Sequence, residues 1–281
     1  MSSKEPCGRC NNIPISIVQN DKELFHSTLN AGCCEDKPKY INTPRIKNPR
    51  APKLEISSED LKELETYCKD LGINTISYTS LTEDMKTKDI DAKYDKIIVF
   101  TIQFDQRIID CKNGEMAEAL NQLFYETYGN ITFKISDFLR EKGYQTQPTH
   151  PSDDKLNLRK IAHTANLGCI GKSGLLITPE YGSRIKISAI LTNINNLPSP
   201  PENEYGWIRE YCDLCDGCSK TCPELAILLD PSSNTTRLIK ELCTTHTNGC
   251  TDCIEYCPFH ETSYIDVKKT YEQLQERGIL S

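Results

Sequence analysis

Eight of the fifteen cysteines in this 281-residue chain fall between residues 212 and 257, and their spacing constrains the fold more than any other feature. The first run, CDLCDGCSKTCP, places Cys212, Cys215, Cys218 and Cys222 three, three and four residues apart and ends on Pro223. The second, CTTHTNGCTDCIEYCP, places Cys243, then Cys250, Cys253 and Cys257, and ends on Pro258. A chain of this length buries a core without cross-links, so the cysteines are not needed as staples. No apolar run approaches the roughly 20 residues of a membrane span. The opening MSSKEPCGRCNN has neither the basic nor the apolar region of a secretory signal, and no twin-arginine pair. A cytoplasmic location is therefore expected, where a reducing environment turns the reading of cysteines toward metal ligation or redox chemistry.

The run Cys-x2-Cys-x2-Cys-x3-Cys-Pro is the pattern of bacterial two-cluster ferredoxins, in which the fourth cysteine ligates the other cluster. Where a plain second repeat would start with cysteine the chain has Thr247, so Cys243 must reach in instead. This predicts one [4Fe–4S] cluster on Cys212, Cys215, Cys218 and Cys257, and a second on Cys222, Cys243, Cys250 and Cys253. Paired CxxC units also hold zinc, but two four-cysteine zinc sites would not call for the crossed CxxxCP endings.

Residues 1–56 read as an irregular arm, interrupted by Pro38, Pro44, Pro49 and Pro52. Its Cys7, Cys10, Cys33 and Cys34 could hold a further metal or stay free thiols, and an adjacent pair is an awkward tetrahedral donor set. From Ser57 the spacing of Leu61, Leu64, Tyr67 and Leu71 predicts an amphipathic helix stopped at Gly72. INTISY and the apolar KIIVFTIQF read as strands, the second buried on both faces. Residues 115–142 turn helical again, and DKLNLRKIAHTANLG predicts another helix ending at Gly168. GLLITPEYGSRIKISAILTNI reads as two strands joined at residues 180–183, the second alternating through Ile185, Ile187, Ala189 and Leu191 as a half-buried strand does. A proline-rich boundary, NLPSPPENEYG, precedes the cysteine module. The expected organisation is the arm (1–56), an α/β (α+β) body (57–204), an iron–sulfur domain (205–262) and a C-terminal docking helix (263–281).

NLGCIGKSGLL contains Gly171-Lys172-Ser173 but is not a phosphate loop. The glycine required five residues before the second glycine is replaced by Asn166, and a helix precedes the loop where a strand should. Gly168 and Gly171 let backbone approach a flat ligand, and a helix stop with a tight turn accounts for them equally well.

Taken together, ANLGCIGKSGLLITPEYGSRIKISAILTNINNL followed by CxxCxxCxxxCP and CxxCxxxCP resembles the family of cobalamin-dependent reductive dehalogenases and epoxyqueuosine reductases. The likeness covers about residues 57–262. It implies a nitroreductase-like body that holds a corrinoid, and a C-terminal ferredoxin-like module whose two clusters pass single electrons from reduced ferredoxin or flavodoxin. In that picture cobalt performs the reduction and the protein positions and tunes it. Carried over residue by residue, Gly168, Gly171, Lys172, Ser173, Gly174, Thr178 and Gly182 become candidate corrinoid contacts. Asn166 and Asn193 depart from the family's usual glycine and aspartate. Asp153 and Asp154 stand near the position of the tRNA enzymes' acid, with a helix N-cap and acidic first turn as the alternative. Tyr181 is a candidate proton donor by analogy with the dehalogenases.

The functional expectation is an iron–sulfur oxidoreductase that acts on a small molecule or serves a redox partner protein. The formal charge of −7 argues against a broad grip on nucleic acid. The chain ends soon after the second cysteine run, without the extension common in the tRNA branch, and it lacks the export signal of the respiratory branch. Three alternatives stay open: an electron carrier or complex subunit without a corrinoid, an epoxyqueuosine reductase-like tRNA enzyme, and a metal-delivery factor using the N-terminal thiols.

Overall fold

The structure is a computed structural model that describes residues 11–19, 22–31, 43–73, 75–111, 114–151, 154–230, 235–245 and 249–280. Its centre is a four-stranded antiparallel sheet. The chain enters it after a hairpin of β1 (Asn11–Gln19) and β2 (Lys22–Ala31) and helix α1 (Ser58–Asp70). The Ser57 hydroxyl accepts the Asp60 N–H at 3.1 Å to cap α1, and Gly72 beyond its far end adopts φ +83°. Strands β3 (Thr75–Ser80) and β4 (Lys96–Gln103) follow, then the short α2 (Gln106–Asp110) and the long α3 (Glu115–Glu141). After β5 (Thr146–Thr149), α4 (Leu158–Thr164), β6 (Cys169–Ile170) and β7 (Leu176–Ile177), strand β8 (Ile185–Thr192) completes the sheet in the order β3-β4-β8-β5.

Pairing places Val99, Ala189 and Thr149 side by side across β4, β8 and β5. Alternate residues of β4 therefore serve opposite layers. Ile98, Phe100 and Ile102 pack with Leu64 of α1 and with Phe124, Ile131 and Ile135 of α3. Ile97 and Val99 pack with Ile161 and Ala162 of α4. Burial of β4 on both faces follows from this three-layer arrangement, as its unbroken apolar run predicted.

Four expectations need correcting. Residues 11–31, read as irregular, form the β1–β2 hairpin; the alternation of Ile13, Ile15 and Ile17 carried that signal and was outweighed by prolines downstream. Residues 43–56 are pinned to the body: the N–H groups of Arg45 and Ile46 donate to Asp137 at 3.0 and 2.9 Å, and Asn48 exchanges hydrogen bonds with the Thr146 backbone. Strand β8 is buried on both faces rather than one, because Ser188 and Thr192 are satisfied internally. Ser188 meets the Thr132 hydroxyl at 2.6 Å, and Thr192 donates to the Gln145 carbonyl at 2.8 Å. Finally, β7 pairs with β6 and not with β8, so residues 176–192 are not a hairpin. Strand β5 was missed: it is four residues long and contains Pro148, which an edge strand tolerates.

The C-terminal lobe contains α5 (Trp207–Cys215), α6 (Gly217–Thr221), a hairpin of β9 (Ile227–Asp230) and β10 (Thr235–Leu238), and the one-turn helices α7 (Asp252–Glu255) and α8 (Pro258–Glu261). The final helix α9 (Tyr264–Glu276) packs on α5. Trp207 packs edge-on to Tyr264 at 5.3 Å, and the Tyr271 hydroxyl donates to Glu210 at 2.6 Å. Among the described residues no helix is long and apolar enough to cross a membrane.

Candidate functional site: a four-cysteine pocket and its neighbour

Asp216 adopts φ +54° between α5 and α6, a left-handed kink that reverses the chain within one residue. Aspartate is among the few residues that take this conformation readily. The kink brings Cys212 and Cys215 of α5 and Cys218 of α6 round one small pocket, and Cys257, from the second run, closes it beside Phe259. Lys172 and Ser173 of the glycine-rich loop form the body's side of the pocket. Cys253 feels the charges of Cys250 and Cys243 of its own run and of Cys218 and Cys222 of the other. None of these sulfurs is in a disulfide.

The sulfurs are desolvated. Burial pushes the Cys212 thiol up to about 12 and Cys218 up to about 11, with smaller contributions from neighbouring cysteines. Burial likewise raises Cys253, Cys257 and Cys250. Thiolates in such a place need positive charge supplied with them. Hydrogen-bond donors are already aimed at them. The Lys172 N–H points at Cys212, Ser219 at Cys218, Asp252 at Cys250, and Phe259 and His260 at Cys257. The Ala226 N–H donates to Cys222 at 3.3 Å. The buried Ser183 hydroxyl makes no hydrogen bond to nitrogen or oxygen and is turned toward Cys257.

A bare ion requires donors about 2.3 Å from one point. Among the described residues no group of three or more His, Cys, Asp or Glu side chains converges that tightly. Cys212, Cys215, Cys218 and Cys257 instead line a pocket, as ligands of a polynuclear group would. Donor set, N–H dipoles and spacing all fit [4Fe–4S] ligation.

The residues named as corrinoid contacts divide. Gly171, Lys172 and Ser173 face the cysteines. At Gly168 a Cβ would lie 2.1 Å from the Ile177 carbonyl oxygen, and at Gly182 it would lie 2.2 Å from that of Phe259. Thr178, fully buried, pairs its backbone with Gly182 in both directions at 2.9 Å. The space at Gly168 and Gly182 is filled by protein, so these positions do not offer an open face to a flat ligand. Gly174 is hydrogen-bonded through its carbonyl to Arg159 at 2.7 Å. Asn166 adopts φ +55°, which explains why glycine suits that place, and its amide holds the Glu202 carbonyl at the proline-rich boundary.

Of the candidate acids, Asp153 lies outside the described residues. Asp154 is 72% exposed and ion-paired with Lys88 at 2.6 Å, which holds its carboxyl below the usual range, the opposite of what a proton donor near neutrality needs. Asp154 does not cap α4; Asn157 does, accepting the Lys160 N–H at 3.2 Å. Tyr181 is half-buried, two residues before Ser183. Cys7, Cys10, Cys33 and Cys34 lie outside the described residues. Sequence reasoning missed Asp216 and Ser183, because only the folded loop shows which side chains face a sulfur.

No protein-family model matches the chain. Tetrachloroethene reductive dehalogenase of Dehalobacter restrictus is 31% identical over 156 residues, 56% of this chain and 27% of that protein. Epoxyqueuosine reductase of Bacillus subtilis is 28% identical over 250 residues, 71% of this chain and 63% of that protein. Among solved structures, a reductive dehalogenase described in terms of B12-dependent dehalogenation superposes with TM-score 0.64 at 15% identity, covering 84% of this chain and 37% of its own. A selenomethionine-labelled epoxyqueuosine reductase superposes with TM-score 0.54 at 20% identity, covering 73% and 66%. The relatives are oxidoreductases, and the mixed α/β fold with its antiparallel sheet is theirs. The chain is similar in sequence to reductive dehalogenases and epoxyqueuosine reductases and shares their fold. It spans about a quarter of the dehalogenase relatives' length.

Proposed function

We propose that this chain is an iron–sulfur oxidoreductase whose C-terminal lobe is a ferredoxin-like module packed on a nitroreductase-like body. Two [4Fe–4S] groups, when bound, supply one-electron transfer. The observation that carries the reading is the pocket lined by Cys212, Cys215, Cys218 and Cys257, which draws its sulfurs from both cysteine runs. Cys222, Cys243, Cys250 and Cys253 would hold the second group. The N–H donors of residues 172, 219 and 226 stabilise sulfur in its anionic form. Packing of Phe259 against Trp207 and Tyr211 at 5.7 Å excludes water from one side. A small reduced ferredoxin or flavodoxin is the donor this arrangement suits, and the reaction class is reduction of a small molecule. Counting iron and acid-labile sulfide on anaerobically purified wild type and Cys218→Ser tests the reading. We expect about eight irons falling toward four; undiminished content in the variant overturns the assignment.

The family likeness supports a corrinoid as the electron acceptor, and the epoxyqueuosine branch, of which the chain covers more, supports a modified tRNA base as an alternative substrate. A second reading, an electron carrier without a corrinoid, is favoured by the filled spaces at Gly168 and Gly182. Anaerobic absorption spectra after reconstitution with cobalamin separate them, since a bound corrinoid adds visible bands of its own.

A further inference from the structure

Lysine is rarely buried without a reason, because its ammonium is strongly hydrated. Lys172 is 6% exposed, and its Nζ donates to Asp216. The loop that carries it comes close to the pocket: a Cβ on Gly171 would lie 3.4 Å from the Cys212 sulfur. The same residue's backbone N–H points at that sulfur. One residue therefore presents both a dipole and a full charge to the four-cysteine pocket it lines. The pair is asymmetric. The cation is enclosed, whereas the Asp216 side chain is 40% exposed and its charge is partly screened by solvent. Of the two charges, the enclosed cation is the one that solvent screens less. Neither a phosphate loop nor a flat-ligand contact accounts for a buried ammonium on a residue that lines a cysteine pocket, clamped by the residue between Cys215 and Gly217.

We propose that Lys172 is a positioning residue for the group on Cys212, Cys215, Cys218 and Cys257, the fixed charge that raises its reduction potential, with Asp216 as the counter-charge that limits the rise. This rests on the cluster reading of those cysteines. On reduction the group gains one electron, no bond forms or breaks, and the reduced form is more negative, so a nearby cation favours it. The electron comes from the titrant.

The test is a redox titration with dithionite, followed by electron paramagnetic resonance, on the full chain reconstituted with iron and sulfide. The group on Cys222, Cys243, Cys250 and Cys253 serves as the internal reference. Lys172→Met should lower the reduced-to-oxidised ratio at a fixed potential about tenfold, a shift of about 59 mV for a one-electron couple. Asp216→Asn should shift it the opposite way, and Lys172→Arg should hold it near wild type. A purely structural ion pair would move both single variants in one direction or neither. Should Lys172→Met lose iron, Asp216→Asn alone decides: a raised potential supports the proposal, and an unchanged or lowered one overturns it. Wild-type protein that takes up no iron or sulfide defeats the cluster reading itself, a different outcome from clusters whose potentials ignore residue 172.

Discussion

The Cα of Gly182 faces the Phe259 carbonyl so closely that a Cβ would come within 2.2 Å of its oxygen, at φ +58°. This contact joins the body to the cysteine lobe next to Cys257. Gly182→Ala would combine a left-handed penalty of about 1–2 kcal/mol with overpacking against backbone that cannot turn aside, about 1–3 kcal/mol. The melting temperature should fall by at least several degrees, and calorimetry on the purified protein checks it. An unaltered melt would show the junction to be looser than described.

Crossed ligation predicts which variants look alike. Cys257→Ser should remove the same resonance signal as Cys212→Ser, although the two residues belong to different runs. Cys222→Ser should match Cys250→Ser. If variants group by run and not across runs, the sulfurs are held in two separate sets.

Asp60 accepts the Tyr144 hydroxyl at 2.7 Å and meets Lys142 at 3.0 Å, contacts that hold its carboxyl below the usual range, the tyrosine contributing most. A depressed native pKa means that stability is fully present above the unfolded value of about 3.9 and is lost as pH falls through the native one. Asp60→Asn should lower stability at neutral pH and flatten the acid limb. Urea midpoints between pH 2 and 6 measure this, and parallel curves for the two proteins would remove Asp60 from the acid response.

Asn166, at φ +55°, should tolerate glycine and resist alanine. Asn166→Ala forfeits the amide bond to the Glu202 carbonyl and adds a left-handed cost of about 1–2 kcal/mol. Denaturant midpoints of the two variants should separate by that amount, with glycine the more stable; equal midpoints would contradict the account.

Asp154 pairs with Lys88 at the surface. Asp154→Asn should leave anaerobic turnover within about twofold of wild type, since exposed pairs contribute little. A collapse of turnover with the fold intact would restore Asp154 as the acid.

Much of this was legible in the residues. Periodicity located α1, α3 and the buried β4, and the second CxxxCP ending pointed to Cys257, which lines a pocket with cysteines of the first run. What stayed hidden depends on tertiary partners. Ser188 and Thr192 look solvent-facing until Thr132 and the Gln145 carbonyl meet them, and β5 is too short and polar to announce itself. The glycines of residues 168–182 signalled close approach correctly, but the sequence does not say whether a ligand or the chain itself fills the space. Lys172 drew notice as part of a near-motif, while its partner Asp216 carried no pattern at all.

The pocket of Cys212, Cys215 and Cys218 is completed by Cys257, which lies 39 residues beyond Cys218 in the chain. Closure of this pocket thus waits on residue 257: a polypeptide that stops short of it has an open-sided nest, and one that includes it can seal it.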